Sequence, residues 1–129
     1  MKTPVALIIF NRSDTTKKVF ERIRQAKPPK LFVIADGPRQ DRVGETQKCG
    51  SARAIVDSVD WDCEVMTNYS DINLGVRVRI SSGIDWVFQH VEEAIFLEHD
   101  CLADLSFFRY CEELLERYRH DNRIMFSTK

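Results

Sequence analysis

Val5-Ala-Leu-Ile-Ile-Phe10 carries no polar side chain; Pro4 precedes it and Asn11-Arg12 follows. An uninterrupted β-prone run of this kind predicts a strand buried on both faces, as in a parallel sheet covered by helices. The pattern returns at Leu31-Phe-Val-Ile-Ala35 and Ala94-Ile-Phe-Leu97, and more weakly at Cys63-Glu-Val-Met-Thr67. Between these runs the apolar spacing changes to that of a helix. Val19, Phe20, Ile23 and Ala26 share one face after Ser13 or Asp14, either of which can cap, and Pro28-Pro29 stops the helix. Ala52, Ile55, Val56 and Val59 predict a second helix, and Ile80, Ile84, Val87, Phe88 and Val91 a third. Phe107, Phe108, Cys111, Leu114, Leu115 and Tyr118 predict a fourth, after which Arg123 to Thr128 reads as the start of a fifth strand.

The alternating order predicts an α/β fold, a Rossmann-like three-layer α/β/α arrangement around a mainly parallel sheet. The length of 129 residues suits one domain spanning 1–129, and 43% apolar residues are enough for a real core. Nineteen Lys and Arg stand against 20 Asp and Glu, a formal net charge of -1, so nucleic acid is not an expected partner. The apolar run near the start is far shorter than the ~20 residues of a membrane span. The N-terminus does not read as a signal peptide. Cys49, Cys63, Cys101 and Cys111 form no C-x-x-C pair. They are expected to be reduced and mostly buried in a cytoplasmic protein without a zinc site.

Right-handed crossovers place all strand C-terminal ends on one edge, where open α/β sheets bind ligands at a reversal of strand order. Arg12 follows the first strand, Asp36 ends the second, and Glu98-His99-Asp100 ends the fourth; Asp71, Asn73 and Gly75 follow the third. Carboxylates and an arginine gathered on one rim suit a base, a ribose, a phosphate and a divalent metal. Alternation along the strand puts Glu98 and Asp100 on one side and His99 on the other. Their oxygens suit Mg²⁺ or Mn²⁺. The triplet can equally be three polar residues that end a strand. Asp36 before Gly37-Pro38 can be a turn former or an acceptor for a nucleobase or ribose. Arg12 can be a solvated side chain or a guanidinium fork for a diphosphate or base carbonyl. Arg77 and Arg79 open the third helix, where an anion can be held, but at this spacing they do not share a face and one is expected to be solvated. His90 and His120 at helix ends suit a structural role. There is no P-loop, dinucleotide or nucleophile-elbow motif.

Pro4 to Arg12, Phe32 to Arg39, Asn73 to Gly75, Gly83 to Phe88 and above all Ile95 to Tyr110 together resemble the nucleotide-diphospho-sugar transferase superfamily. These are glycosyltransferases of GT-A fold, and the match is to its family 2-like and N-acetylglucosaminyltransferase I-like members. The resemblance implies that Asp100 binds a divalent metal, Mn²⁺ or Mg²⁺, held by the sugar-nucleotide diphosphate. It places Glu98 near the donor sugar and His99 where a ribose-facing Asp is usual. It implies that Asp36 reads the base, that Arg12 belongs to the nucleotide pocket, and that Ile9 and Phe10 flank the base. Arg77 is the further candidate for the nucleotide-sugar, by its place at the helix start.

The expected ligand is therefore a nucleotide-diphospho-sugar, a UDP-sugar, with glycosyl transfer to an unknown acceptor. The catalytic base is not identified. The chain is expected to hold the nucleotide-binding part and to stop after the fourth helix and the start of the fifth strand, without the acceptor half. The alternative is a non-catalytic nucleotide-binding or interaction module. A nucleotidyltransferase is disfavoured because no Gly-rich, Lys-bearing loop follows the first strand.

Overall fold

The structure, a computed structural model, describes residues 1–117. The expected fifth strand, Tyr118 and His120 lie outside the described residues. Four parallel strands form one sheet: β1 (Val5–Ile9), β2 (Lys30–Ala35), β3 (Glu64–Tyr69) and β4 (Ile95–Glu98). Four helices follow them in turn: α1 (Ser13–Ala26), α2 (Glu45–Ile55), α3 (Val76–Phe88) and α4 (Leu105–Arg117). The class is the expected one, a Rossmann-like α/β fold.

The strand order is β3-β2-β1-β4. Each chain crossover steps outward from β1 until β3, then the chain returns to the far side of β1. The reversal lies between β1 and β4, which pair Val5 with Ile95 and Ile8 with Glu98. β1 also pairs with β2, from Val5 on Leu31 to Ile9 on Ala35.

Alternation along the strands divides the core into two layers. Val5, Leu7, Ile9, Leu31, Val33, Ile95 and Leu97 face Val19, Phe20 and Ile23 of α1, Ala52 of α2, and Phe108, Cys111 and Leu115 of α4. Ala6, Phe32, Ile34 and Phe96 face the opposite way, against Val87 and the partly buried Ile84, Trp86 and Phe88 of α3. The residues from Leu31 to Ala35 are all fully buried, which is why that stretch is apolar on both faces. At Gly83, α3 comes so close to the sheet that an added Cβ would lie 2.7 Å from Ile34 Cγ2.

Several local expectations differ. Neither Ser13 nor Asp14 caps α1; the N-cap is Arg12, with no side-chain cap bond. Asp14 is instead drawn to the Arg12 guanidinium, whose Nε and Nη2 donate to its two oxygens at 3.0 and 2.9 Å. Lys27, in the left-handed region at φ 53°, closes α1 ahead of Pro28. Val56 lies on a 3₁₀ turn (Val56–Ser58), and Val59 and Val91 lie beyond their helices, though both pack on the core. No helix among the described residues is long and apolar enough to cross a membrane.

Candidate functional site

The reversal of strand order opens a cleft of about 420 Å³ at the C-terminal edge of the sheet. Its size falls within the range of small-molecule sites, roughly 300–1,000 Å³. Ile8, Ile9 and Phe10 form its floor at the end of β1; Glu98 and His99 line it from β4. Asp36 and Arg39 come from the segment after β2, and Asn73, Gly75, Val76, Arg79 and Ile80 from the start of α3. Four strand ends or their following segments thus meet at the switch point, as the topology requires.

Of the residues expected from the sequence, Ile9, Phe10, Asp36, Asn73, Gly75, Glu98 and His99 come together in this cleft, and Asp71 does not line it. Arg12 does not: it is paired on the surface with Asp14, both more than half exposed. Arg77 is exposed and does not line the cleft, whereas Arg79 is 5% exposed and does. The helical period decides between them, since Arg79 shares its face with the buried Gly83 and Val87.

Asp36 is buried and its carboxylate is filled by its own chain. Oδ1 accepts from the backbone N–H of Gly37 and of Leu74, each at 2.9 Å. Oδ2 accepts from Gly75 N–H at 3.1 Å and Asn73 Nδ2 at 3.2 Å. A carboxylate has about four lone-pair positions, so these donors use them all. Asp36 is therefore a clamp that ties the end of β2 to the loop before α3, and this conformation leaves it no lone pair for a nucleobase N–H. Gly37 makes the clamp possible, because a Cβ there would lie 2.5 Å from the carbonyl carbon and oxygen of Ile72. Arg53 fastens the same crossing from α2, donating through Nη2 to the carbonyls of Asp36 at 3.0 Å and Ser70 at 2.8 Å.

A second cluster supports the other wall. Buried Glu45, the first residue of α2, accepts from Arg39 Nη2 at 2.7 Å, Arg39 Nε at 3.0 Å, Arg39 N–H at 2.6 Å and Asn11 Nδ2 at 3.0 Å. The hydrogen-bonded Arg39 holds the Glu45 carboxyl down at about 2, against the opposing effect of burial. Arg39 is thereby fixed with its guanidinium 5.6 Å from the centre of the Phe10 ring. Neither Glu45, Arg53 nor Arg39 was legible as a site residue. Glu45, Cys49, Ala52 and Val56 do recur at helical spacing, however, and an acid on that inward stripe is a signal for a buried pair.

His99 turns toward α1, where its Nδ1 lies 3.1 Å from Thr15 Oγ1. Glu98, the last residue of β4, pairs in register with Ile8, which packs on the α3 side with Ala6 and Phe96. His99 and Asp100 lie in the turn that follows, so the alternation expected over Glu98, His99 and Asp100 ends at Glu98. Asp100 is exposed and lies outside the cleft lining, but its carboxylate, that of Glu98 and the Cys101 thiol offer ligand atoms within 4.8 Å of one another. Two carboxylates fit Mg²⁺ or Mn²⁺ by donor type, with phosphate and water completing the shell. Cys101 is buried and donates its S–H toward Asp100 Oδ1 at 3.9 Å, which orients the carboxylate rather than adding a hard ligand.

No family model, curated protein sequence or solved structure matches the chain.

Proposed function

We propose that the chain is a glycosyltransferase domain that takes a nucleotide-diphospho-sugar, a UDP-sugar, in the cleft between β1 and β4. The observation that carries this reading is the meeting of Phe10, Glu98 and His99 at the switch point of the sheet, at positions that the resemblance assigns to the base, the donor sugar and the ribose. Phe10 and Ile9 offer the apolar surface on which a base stacks. His99, oriented by Thr15 through Nδ1, keeps Nε2 for a hydroxyl of the ligand. Hydrogen bonds from an imidazole replace those of the usual Asp without adding negative charge beside a diphosphate.

Glu98 and Asp100 would hold the divalent cation. When bound, Mn²⁺ or Mg²⁺ supplies charge neutralisation on the departing nucleoside diphosphate as an acceptor hydroxyl attacks the anomeric carbon. The Asp36 clamp sets the width of the cleft by holding the loop before α3, a positioning role in place of base reading. The proposed compartment is the cytoplasm, where the four free cysteines would stay reduced.

Calorimetry with UDP in the presence of Mn²⁺ tests the reading. Saturable binding that weakens in Asp100→Ala supports it. Absence of binding at millimolar UDP, or an Asp100→Ala variant indistinguishable from the parent, refutes the nucleotide or the metal assignment respectively.

A further inference from the structure

Arg79 stands apart from every other arginine near the cleft. Arg12 is bound by Asp14 and Arg39 by Glu45, so their charges are already answered. Arg79 is 5% exposed, lines the cleft, and makes no side-chain hydrogen bond or ion pair among the described residues. Its buried Nε has no partner. Burial pulls its pKa below the ordinary arginine value, and Asp36 opposes this only by its nearby charge. That charge is itself shared among four donors.

The surrounding backbone is answered only in part, since Asp36 takes the N–H groups of Leu74 and Gly75 just ahead of α3. α3 begins after Gly75 with no side-chain cap and no acidic residue in its first turn. Its first N–H groups and the positive end of its dipole therefore have no negative complement from the helix's own residues. Placing Arg77 and Arg79 in that turn adds positive charge where a helix prefers negative charge. A buried, unpaired guanidinium is costly to fold, and an anionic ligand would offset that cost.

We propose that Arg79 and the first turn of α3 form an anion subsite that binds a phosphate of the ligand directly, without a divalent metal. The fork of a guanidinium matches phosphate oxygens in a bidentate manner, and first-turn N–H groups can add further donors. The identity of the anion as part of a nucleoside diphosphate rests on the function proposed above; the subsite itself does not. It divides the work of the cleft between one phosphate held by Arg79 on the α3 side and a cation held by Glu98 and Asp100 on the β4 side.

Inorganic pyrophosphate in the presence of EDTA is the probe, because it carries neither base nor metal. Titration followed by calorimetry and by the Arg79 Nε–Hε resonance is expected to show saturable binding and a shift of that resonance. Arg79→Met is expected to weaken it by about tenfold or more and Arg79→Lys by less, while Arg109→Met on α4 controls for the loss of one charge. The melting temperature of unliganded Arg79→Met is expected to match or exceed the parent's, since a buried charge is removed. Lack of pyrophosphate binding in EDTA, or equal binding by Arg79→Met, overturns the subsite. An unmoved Arg79 Nε–Hε resonance in the parent overturns it without any variant. If UDP binds only with Mn²⁺ and is indifferent to Arg79→Met, the subsite fails and the nucleotide reading stands. If pyrophosphate binds through Arg79 and UDP binds no tighter than pyrophosphate, the subsite stands and the nucleotide reading fails.

Discussion

Asp36→Asn separates a clamp from a base reader. The parent carboxylate accepts from Gly37 and Leu74 N–H on one oxygen and from Gly75 N–H and Asn73 Nδ2 on the other. Asparagine keeps one carbonyl oxygen and offers an amide in place of the second, so one pair of donors would face another donor. Losing two hydrogen bonds to a charged acceptor costs about 1.5–3 kcal/mol each, and water reaching the exposed Asn73 recovers part, which leaves about 2–4 kcal/mol. For a chain of this size that corresponds to a fall in melting temperature of roughly 8–16 °C. The assay is thermal and urea unfolding by circular dichroism, run beside UDP binding at a temperature where both proteins are folded. Asn73→Ala removes one of the same donors, so the double variant should fall short of the sum of the two. An Asp36→Asn variant as stable as the parent but unable to bind UDP would refute the clamp and return Asp36 to direct contact with the base.

Gly83→Ala would press a Cβ to 2.7 Å from Ile34 Cγ2 and 2.8 Å from Cδ1 in a fully buried layer. It should cost about 1–3 kcal/mol, and Ile34→Ala in the same chain should make the two costs less than additive, as read by urea midpoints. Glu45 gives an acid-side test: its folded pKa of about 2 lies below its ordinary 4.5 because of Arg39. A depressed carboxyl stabilises fully above the unfolded pKa and loses that contribution as pH falls through about 4.5 towards 2. Glu45→Gln should therefore be less stable near neutral pH and show a shallower acid loss, measured by unfolding midpoints across that range. Burial pushes the Cys111 thiol up to about 12, and Cys49 and Cys101 are also buried. In a thiol-labelling experiment followed by mass spectrometry, Cys63 should react first and the other three only on unfolding; prompt labelling of Cys111 in the native protein would contradict its packing.

The parts that were legible in the sequence are those where burial is unambiguous. β1, β2 and β4 are apolar on both faces, and their runs announced them to within a residue at each end. β3 carries exposed Glu64, Val65 and Thr67, so its apolar pattern is diluted, and it runs on to Tyr69, two residues past the stretch from Cys63 to Thr67. The crossing of the loop before α3 over Gly37 was invisible, because it depends on a close approach between segments distant in the chain. The site was legible to the extent that strand ends must converge: Asp36, Asn73, Gly75, Glu98 and His99 follow from topology alone, whereas Phe10 was expected only from the resemblance. Arg12 and Arg77 show the limit of that argument. Both are near the rim in sequence, but the acid two residues on claims Arg12, and helical phase turns Arg77 outward and Arg79 inward.

Amide NMR of the chain during titration with UDP in the presence of Mg²⁺ tests the central claim most directly. The account predicts saturable shifts at Phe10, Gly75, Arg79 and His99, with little change on the opposite side of the molecule around Thr3 and Glu112. No shifts at millimolar UDP, or shifts confined to residues outside the β1–β4 cleft, would contradict it.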